Sequence, residues 1–318
     1  MQEKSLQIIK EVKKAVIGKD DIIIKVLMAI LAKGHILLED IPGVGKTTLA
    51  LAFSKVMSLD YKRTQFTPDV MPTDVTGFSI YNKSTGKLEY KPGAALCNLY
   101  LADEINRTSS KTQSALLEVM EEGKITVDSI TRPTPKPYIV IATQNPIGSA
   151  GTQLLPESQL DRFMIKLTMG YPTLSDEIEI LKQKQGDDPL KSVQKTVDAQ
   201  DILNMQNEVD SVYISDDIYD YIARLIGATR ENSLIRLGAS PRGSIALAKM
   251  AKAGAYLSGR DYVIPKDIKT VFLDVASHRI ILNSKAKISK VTAESVLINI
   301  LKEVSAPNVA VHKRQKNV

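Results

Sequence analysis

Two short runs of this chain hold residue types and spacings that could do chemistry together. The first, Asp40-Ile41-Pro42-Gly43-Val44-Gly45-Lys46-Thr47, follows the apolar run His35-Ile36-Leu37-Leu38 and precedes helix formers from Thr47 to Met57. Glycines at 43 and 45 let main-chain N–H groups turn inward around the β- and γ-phosphates of a nucleoside triphosphate. The start of the helix adds positive potential, Lys46 contributes a charge, and the Thr47 hydroxyl suits Mg²⁺. The usual spacing G-x-x-x-x-G-K-[ST] asks for a glycine where this chain has Asp40. The Gly-Lys-Thr end, which makes the phosphate contacts, is intact, so the departure concerns the exit from the strand. The bland alternative is an ordinary strand-to-helix turn; the strand before and the helix after separate the run from chance.

The second run, Leu99-Tyr100-Leu101-Ala102-Asp103-Glu104, ends a strand on two carboxylates. Asp103 can hold Mg²⁺ through its water shell, and Glu104 can point past the metal as the general base that deprotonates water. Alone, an acidic pair after an apolar run is more often a helix cap. One strand unit after a phosphate loop, it reads as metal ligand and base.

The elements that must position these residues are those of an α/β layer. Strands are expected at His35–Leu38, Tyr61–Phe66, Asn98–Ala102, Tyr138–Ala142 and Phe163–Thr168, each bounded by polar or helical segments, which makes a five-stranded parallel sheet with crossover helices. Amphipathic helices precede it at Leu6–Val16 and Ile22–Ala32. Two pieces read as hairpins, Phe78–Tyr90 turning at Ser84-Thr85-Gly86, and Lys124–Ile130 leading into Arg132-Pro133-Thr134-Pro135. After Tyr171-Pro172 helical patterns take over: Ser215 as N-cap before the stripe Ile218, Tyr221, Ile222, Leu225 and Ile226, then Ser240-Pro241, and then Pro265 ahead of Ile268, Val271, Phe272 and Val275. The expected division is an α/β nucleotide-binding domain over 1–171, an all-helical lid domain over 172–308 and a basic tail over 309–318.

Composition bounds the rest. At 318 residues, 43% hydrophobic and 25% charged, the chain matches ordinary globular composition at about two domains and excludes disordered, collagen-like and coiled-coil classes. No apolar stretch reaches the length of a membrane span and the N-terminus lacks a signal-peptide layout, so a cytoplasmic location is expected. Cys97 is the single cysteine and reads as a buried small apolar residue, and His35, His278 and His312 have no ligand spacing, which excludes structural zinc. A net charge of +6 permits nucleic acid as a partner without demanding it, and the basic cluster His312–Lys316 reads as a frayed terminus.

The chain resembles the MoxR family of AAA+ ATPases, in the group that carries an insert in helix 2 and includes magnesium-chelatase ATPase subunits and minichromosome-maintenance helicases. The likeness, over about Ile17 to Asn283, rests on the runs Leu37–Thr47, Ala102-Asp103-Glu104-Ile105-Asn106-Arg107, Lys111–Glu118, Ala142-Thr143-Gln144-Asn145-Pro146, Gln159-Leu160-Asp161-Arg162-Phe163 and Gly238-Ala239-Ser240-Pro241-Arg242. It implies ATP and Mg²⁺ as ligands, held by Val16, Ile17 and Gly18 around adenine, by Pro42, Gly43, Val44, Gly45, Lys46, Thr47 and Thr48 around the phosphates, and by Thr47 and Asp103 at the metal.

Asn145 resembles the sensor that bonds the attacking water or the γ-phosphate, a task suited to an amide that both donates and accepts; on its own it reads equally as a turn residue in Asn-Pro. Arg162 resembles an arginine finger reaching a neighbouring subunit's nucleotide, and would otherwise read as half of a surface pair with Asp161. Arg242, in the first turn of a lid helix where the helix dipole disfavours a cation, resembles a second sensor toward the γ-phosphate. Arg107 reads either as a contact across a subunit interface or as a simple salt bridge. Two departures stand just upstream of Arg162: Gly148-Ser149-Ala150-Gly151 where the family usually has an acidic residue, and Gln153-Leu154 where it usually has Tyr-Pro.

If Arg162 acts on a neighbour, a lone subunit is incomplete, and the resemblance implies a homo-oligomeric ring, a hexamer, that remodels or matures client proteins with von Willebrand factor A domains. The two hairpins match the helix 2 insert and the hairpin before the first sensor. A nucleic-acid motor or loader is the alternative from the basic charge, but Lys83, Lys87 and Lys91 are too few and too diluted for a basic stripe, so nucleic acid is not the expected partner. A GTPase would need Asn-Lys-x-Asp, and Asn82-Lys83-Ser84-Thr85 ends in the wrong residue. A small-molecule kinase is compatible with the phosphate loop alone and is opposed by the helical second domain.

Overall fold

The computed structural model describes residues 2–41, 43–145, 155–184 and 188–308. The chain divides into two compact units between Asn207 and Glu208. The first opens with α1 (Gln2–Ala15), α2 (Asp20–Leu31), β1 (Ile36–Glu39), α3 (Lys46–Val56), β2 (Tyr61–Gln65), α4 (Pro72–Thr76), β3 (Gly77–Asn82), β4 (Lys87–Pro92) and β5 (Leu99–Asp103). A single 3₁₀ turn (Ile105–Arg107) leads to α5 (Ser110–Glu122), β6 (Lys124–Val127), β7 (Ile130–Pro133), β8 (Ile139–Gln144), α6 (Glu157–Leu160) and β9 (Ile165–Leu167). Three helices follow, α7 (Leu174–Lys184), α8 (Pro189–Ser192) and α9 (Ala199–Asp210).

Five strands form one parallel sheet in the order β2-β5-β8-β1-β9. Strands β5 and β8 are buried along their whole length, as expected of near-continuous apolar runs covered by helices on both faces. The register aligns the C-terminal ends of β1, β8 and β5, with Glu39 opposite Gln144 and Ala102 opposite Ala142. Asp40, Asn145 and Glu104, the residues that leave these three strands, therefore share one edge of the sheet, where open α/β folds bind their ligands. Beneath that edge Leu37, Tyr100, Leu116, Val140 and Phe163 belong to one buried cluster.

His35 precedes β1 and is buried, accepting at Nδ1 from the Val140 N–H at 3.0 Å, which leaves Nε2 to carry the proton toward the Met120 carbonyl at 3.0 Å. Burial pushes its pKa down to about 4, against the pull of the Met120 bond. The unfolded chain thus binds one proton more than the folded one between pH of about 6.5 and about 4, and stability falls as pH falls through that window, by about 3 kcal/mol in all. Thermal unfolding of wild type and His35→Gln against pH reads this out: the variant is expected to lose the part of the acid slope between pH 6.5 and 4, and identical slopes would contradict it.

Both expected hairpins are present and antiparallel. In the first, Gly77 pairs with Pro92 and Asn82 with Lys87. Gly77 sits at φ +85, and a Cβ there would lie 2.4 Å from the Lys91 carbonyl oxygen, so the base of the hairpin admits only glycine. The second extends beyond the expected Ile130: β7 runs through Arg132 to Pro133, which pairs with Lys124. Proline is tolerated there because it ends an isolated two-stranded ribbon, where its missing N–H breaks no inner ladder. The Arg132 guanidinium lies 3.9 Å above the Tyr90 ring and ties the two hairpins together.

The boundary expected after Tyr171 lies later. Helices α7 to α9 belong with the sheet, because Thr196 N–H donates to the Val56 carbonyl at 2.9 Å, Gln206 Nε2 to the buried Ile30 carbonyl at 2.8 Å, and Lys4 pairs with Asp201 at 2.6 Å. The second unit holds α10 (Asp216–Glu231), β10 (Ile235–Leu237), α11 (Pro241–Leu257), α12 (Pro265–Ala276), β11 (Ile281–Leu282), α13 (Ser284–Ile288) and α14 (Ala293–Glu303). The expected stripes face its interior, with Ile218, Tyr221, Leu225, Ile268, Val271 and Phe272 buried. It is not all-helical: the extended segments that flank α11 and α12 satisfy their main-chain groups by pairing, Ile235 with Leu282 and Leu237 with Ile281. Ser240 caps α11 by accepting from the Arg242 N–H, whereas Ser215 makes no side-chain cap bond. Among the described residues no helix is long and apolar enough to cross a membrane. Residues 309–318 and 146–154, with the departures noted at Gly148–Gly151 and Gln153-Leu154, lie outside the described residues.

Candidate functional site

The phosphate-loop run takes the geometry its glycines allow. Gly43 and Gly45 have φ of +87 and +96, and Gly45 is the N-cap of α3 with no side-chain cap bond. The first N–H groups of an eleven-residue helix therefore face outward from its N-terminus beside a left-handed turn, which is an arrangement that receives anions. Lys46 is buried, and its Nζ donates to the carbonyls of Asp40 at 2.7 Å and Ile41 at 3.1 Å. Burial lowers its pKa, while the charges of Asp40, Asp103 and Glu104 pull the other way. Thr47 and Thr48 are half-buried in the first turn, and Pro42 lies outside the described residues.

The aspartate that replaces the first glycine has a structural task. Asp40 is buried, its Oδ2 accepts from the Gly170 N–H at 2.7 Å and its Oδ1 from the Ile41 N–H at 2.9 Å. The carboxylate thus fastens the strand exit to the segment after β9, and Glu39 adds a second tie by accepting from Lys166 at 2.9 Å and from Gln144. Gly43, Gly45 and Thr48 then form one wall of a cavity of about 380 Å³ whose other walls include Val16, Ile17, Pro172, Ile180 and Leu190. The size and mixed apolar lining suit a purine. Val16 and Ile17, the residues the resemblance assigns to adenine, line this cavity, and so do Ile180 and Leu190, from α7 and α8, which were not foreseen. Gly18 turns at φ +68, with the Asp176 carboxylate 2.2 Å from where a Cβ would stand.

Asp103 and Glu104 differ sharply in their surroundings. Asp103 Oδ1 accepts from the Thr143 hydroxyl at 2.6 Å, and Oδ2 accepts from Arg63 Nη2 at 2.7 Å and Nε at 3.2 Å. Glu104 adopts the left-handed conformation (φ +57), which swings its side chain away from the line of the strand, and its N–H donates to Thr143. Its Oε2 accepts from Arg107 at 2.8 Å and its Oε1 from Asn145 Nδ2 at 3.1 Å. Burial works to raise the Glu104 pKa, but the bonds from Arg107 and Asn145 and the Arg107 charge outweigh it and hold the carboxyl below its ordinary value. Arg107 is thus a salt-bridge partner of Glu104 within the chain, the second of its two sequence readings.

Asn145 is placed by Asn106, which accepts from the Asn145 N–H at 3.3 Å and donates to its carbonyl at 3.1 Å. With Nδ2 on Glu104, the Asn145 Oδ1 is buried and accepts no hydrogen bond among the described residues. A buried acceptor beside a carboxylate at the strand ends suits a water held for deprotonation. Thr143, Asn106 and Arg63 are the residues the sequence reading gave no role, although Thr143 and Asn106 stand inside the runs that carried the resemblance. Arg162 pairs with Glu121 on α5 at 3.1 Å, while its Nε is buried without a partner among the described residues. Arg242 belongs to the second unit, exposed in the first turn of α11. Cys97 is buried, and its thiol is pushed up to about 12 by burial, which makes it inert.

The donor set fits Mg²⁺ bound with a nucleotide. Among the described residues no group of three or more His, Cys, Asp or Glu could cage a metal, and a Thr47 hydroxyl with one hard carboxylate at Asp103 is the sparse protein share that Mg²⁺ accepts when phosphates and waters complete its shell.

Residues 35–165 match the model of the ATPase family associated with various cellular activities, AAA, and residues 227–300 match the AAA lid domain. Sheet order, phosphate loop, paired carboxylates and helical second unit together define an AAA+ nucleotide-binding protein. Chaperone MoxR1 of Mycobacterium tuberculosis is 39% identical over 308 residues, covering 94% of this chain and 81% of the relative. The uncharacterized protein YeaC of Bacillus subtilis is 48% identical over 299 residues, covering 94% and 93%. The crystal structure of a candidate ATPase from Cytophaga hutchinsonii superposes with a TM-score of 0.90 at 41% identity over 96% of both chains. The chain belongs to the MoxR family of AAA+ ATPases.

Proposed function

We propose that the protein hydrolyses ATP with Mg²⁺ as a homo-oligomeric ring, a hexamer, and uses the cycle in a chaperone-like way to remodel or mature partner proteins that contain von Willebrand factor A domains. The observation that supports this most is the pairing of Glu104 with Asn145 beside an unpartnered, buried Asn145 Oδ1. In this reading the N-terminal amides of α3 and Lys46 bind the β- and γ-phosphates, Thr47 and Asp103 hold Mg²⁺, Glu104 takes the proton of a water that Asn145 Oδ1 orients, and Arg162 of one subunit serves the nucleotide of the next. Bound Mg²⁺ neutralises charge on the phosphates. Arg242 would bring the lid to the γ-phosphate of its own subunit. The exposed hairpin residues Phe78, Ile80, Tyr81 and Leu88 favour a polypeptide client over nucleic acid.

The test is ATP binding and turnover by the purified protein together with its size with and without nucleotide. Lys46→Ala is expected to weaken ATP binding by about tenfold or more, the loss of a charge-assisted hydrogen bond, and to prevent nucleotide-dependent assembly. Turnover unchanged in Lys46→Ala, or a wild-type monomer that hydrolyses ATP at full rate, would overturn the proposal. Client capture in the Glu104→Gln background then addresses the von Willebrand factor A partner, and loss of capture on mixing with an isolated domain of that kind is the expected result.

A further inference from the structure

Arg63 touches the centre of this site from a strand that carries none of the recognised motifs. It lies on β2 two residues before Gln65, which pairs in register with Asp103, so its side chain runs along the same face toward the strand ends. Its Nε and Nη2 both reach Asp103 Oδ2, at 3.2 and 2.7 Å, and Nη2 also donates to Gln65 Oε1 at 2.7 Å. The Thr143 hydroxyl takes Oδ1 at 2.6 Å. A carboxylate offers about four acceptor directions. Three are filled, so one remains for a water on a bound metal. The fixed positive charge also opposes a divalent cation at the same carboxylate. The Asp103 side chain is only 10% exposed, whereas that of Arg63 is 43% exposed, so it is the arginine that has a path out toward solvent, with Gln65 as a second anchor.

We propose that Arg63 is a positioning residue that competes with Mg²⁺ for Asp103 and thereby sets how much metal the site requires. The proposal rests on the reading of Asp103 as the metal carboxylate. Arg63 holds Asp103 aimed while the pair is closed, its fixed charge opposes a cation at the open direction of Oδ1, and a metal that also takes Oδ2 requires the guanidinium to yield it. Charge, more than shape, is the competing property, which separates this role from one of merely supporting the strand.

The test uses the full chain, with free Mn²⁺ followed by electron paramagnetic resonance in the presence of a non-hydrolysable ATP analogue. Arg63→Gln is expected to tighten Mn²⁺ binding about two- to fivefold, the scale of a half-exposed ion pair. Arg63→Lys, which keeps the charge, is expected to stay within about twofold of wild type. If Arg63→Gln is insoluble, Arg63→Met is read by the same criterion. Unchanged or weaker Mn²⁺ binding in the uncharged variant, or equal tightening by lysine, overturns the proposal. Wild type that binds Mn²⁺ no better with the analogue than without it removes the metal-site reading itself, and the proposal with it.

Discussion

Replacing Arg162 by alanine is expected to lower ATP turnover by about 10³- to 10⁵-fold while leaving ATP affinity within a few fold of wild type, the effect of withdrawing a guanidinium from transferring phosphoryl oxygens. The expectation competes with a plain alternative visible in the chain. Arg162 meets Glu121 at 3.1 Å with both side chains about one-third exposed, and such a pair contributes only about 0–1 kcal/mol to stability. If that were its whole role, alanine would leave turnover nearly unchanged. Two features favour the larger effect. The following residue, Phe163, is fully buried and fixes the backbone from which Arg162 projects, and the Arg162 Nε finds no acceptor among the described residues. A guanidinium held at its root and tied at Nη2 through a part-exposed ion pair can exchange that partner for phosphoryl oxygens. Steady-state turnover and nucleotide binding, measured on the same preparation, separate the two outcomes.

Glu104→Gln is expected to cut turnover by about 10²- to 10⁴-fold, the usual contribution of a positioned base, with ATP bound as well as in wild type. The substitution preserves shape and can still accept from Arg107, so loss of proton transfer is isolated from loss of structure. Because Arg107 and Asn145 hold the Glu104 carboxyl below its ordinary pKa, it is ionised at neutral pH and able to accept a proton without prior activation. The same bonds weaken it as a base and keep it turned toward Arg107. Retained turnover in Glu104→Gln, measured by phosphate release in single-turnover conditions, would take the residue out of its assigned role.

The parts of this site that were legible in the sequence are those whose chemistry is local. A buried apolar strand running into Gly-Val-Gly-Lys-Thr leaves few alternatives, because the glycines supply positive φ and the helix after them supplies the amides. The same holds for Asp103-Glu104 at the end of β5, and all five sheet strands fell within or close to the expected segments, although β2 is polar and only half-buried. What escaped depends on partners distant in sequence. Arg63 lies 40 residues from Asp103, and no local pattern marks their union. The aspartate at position 40 looked like a flaw in the motif until its bond to Gly170, 130 residues on, gave it a task. The domain boundary was placed too early because the end of strand signals was taken for the end of the unit, whereas the first unit runs to Asn207 and α9 returns to bond with the helices that open the chain. Arg107 was balanced between two readings that only geometry could separate, since a 3₁₀ turn is what brings position 107 back onto position 104.

In the proposed ring, Arg162→Ala and Lys46→Met would each disable a different half of a shared site, so the two proteins mixed at equal concentration decide the matter most directly. Mixed rings would contain interfaces where an intact phosphate loop faces an intact Arg162, and the prediction is that ATP turnover returns to a substantial fraction of the wild-type rate. No recovery on mixing, from proteins that co-assemble by size, would contradict the account.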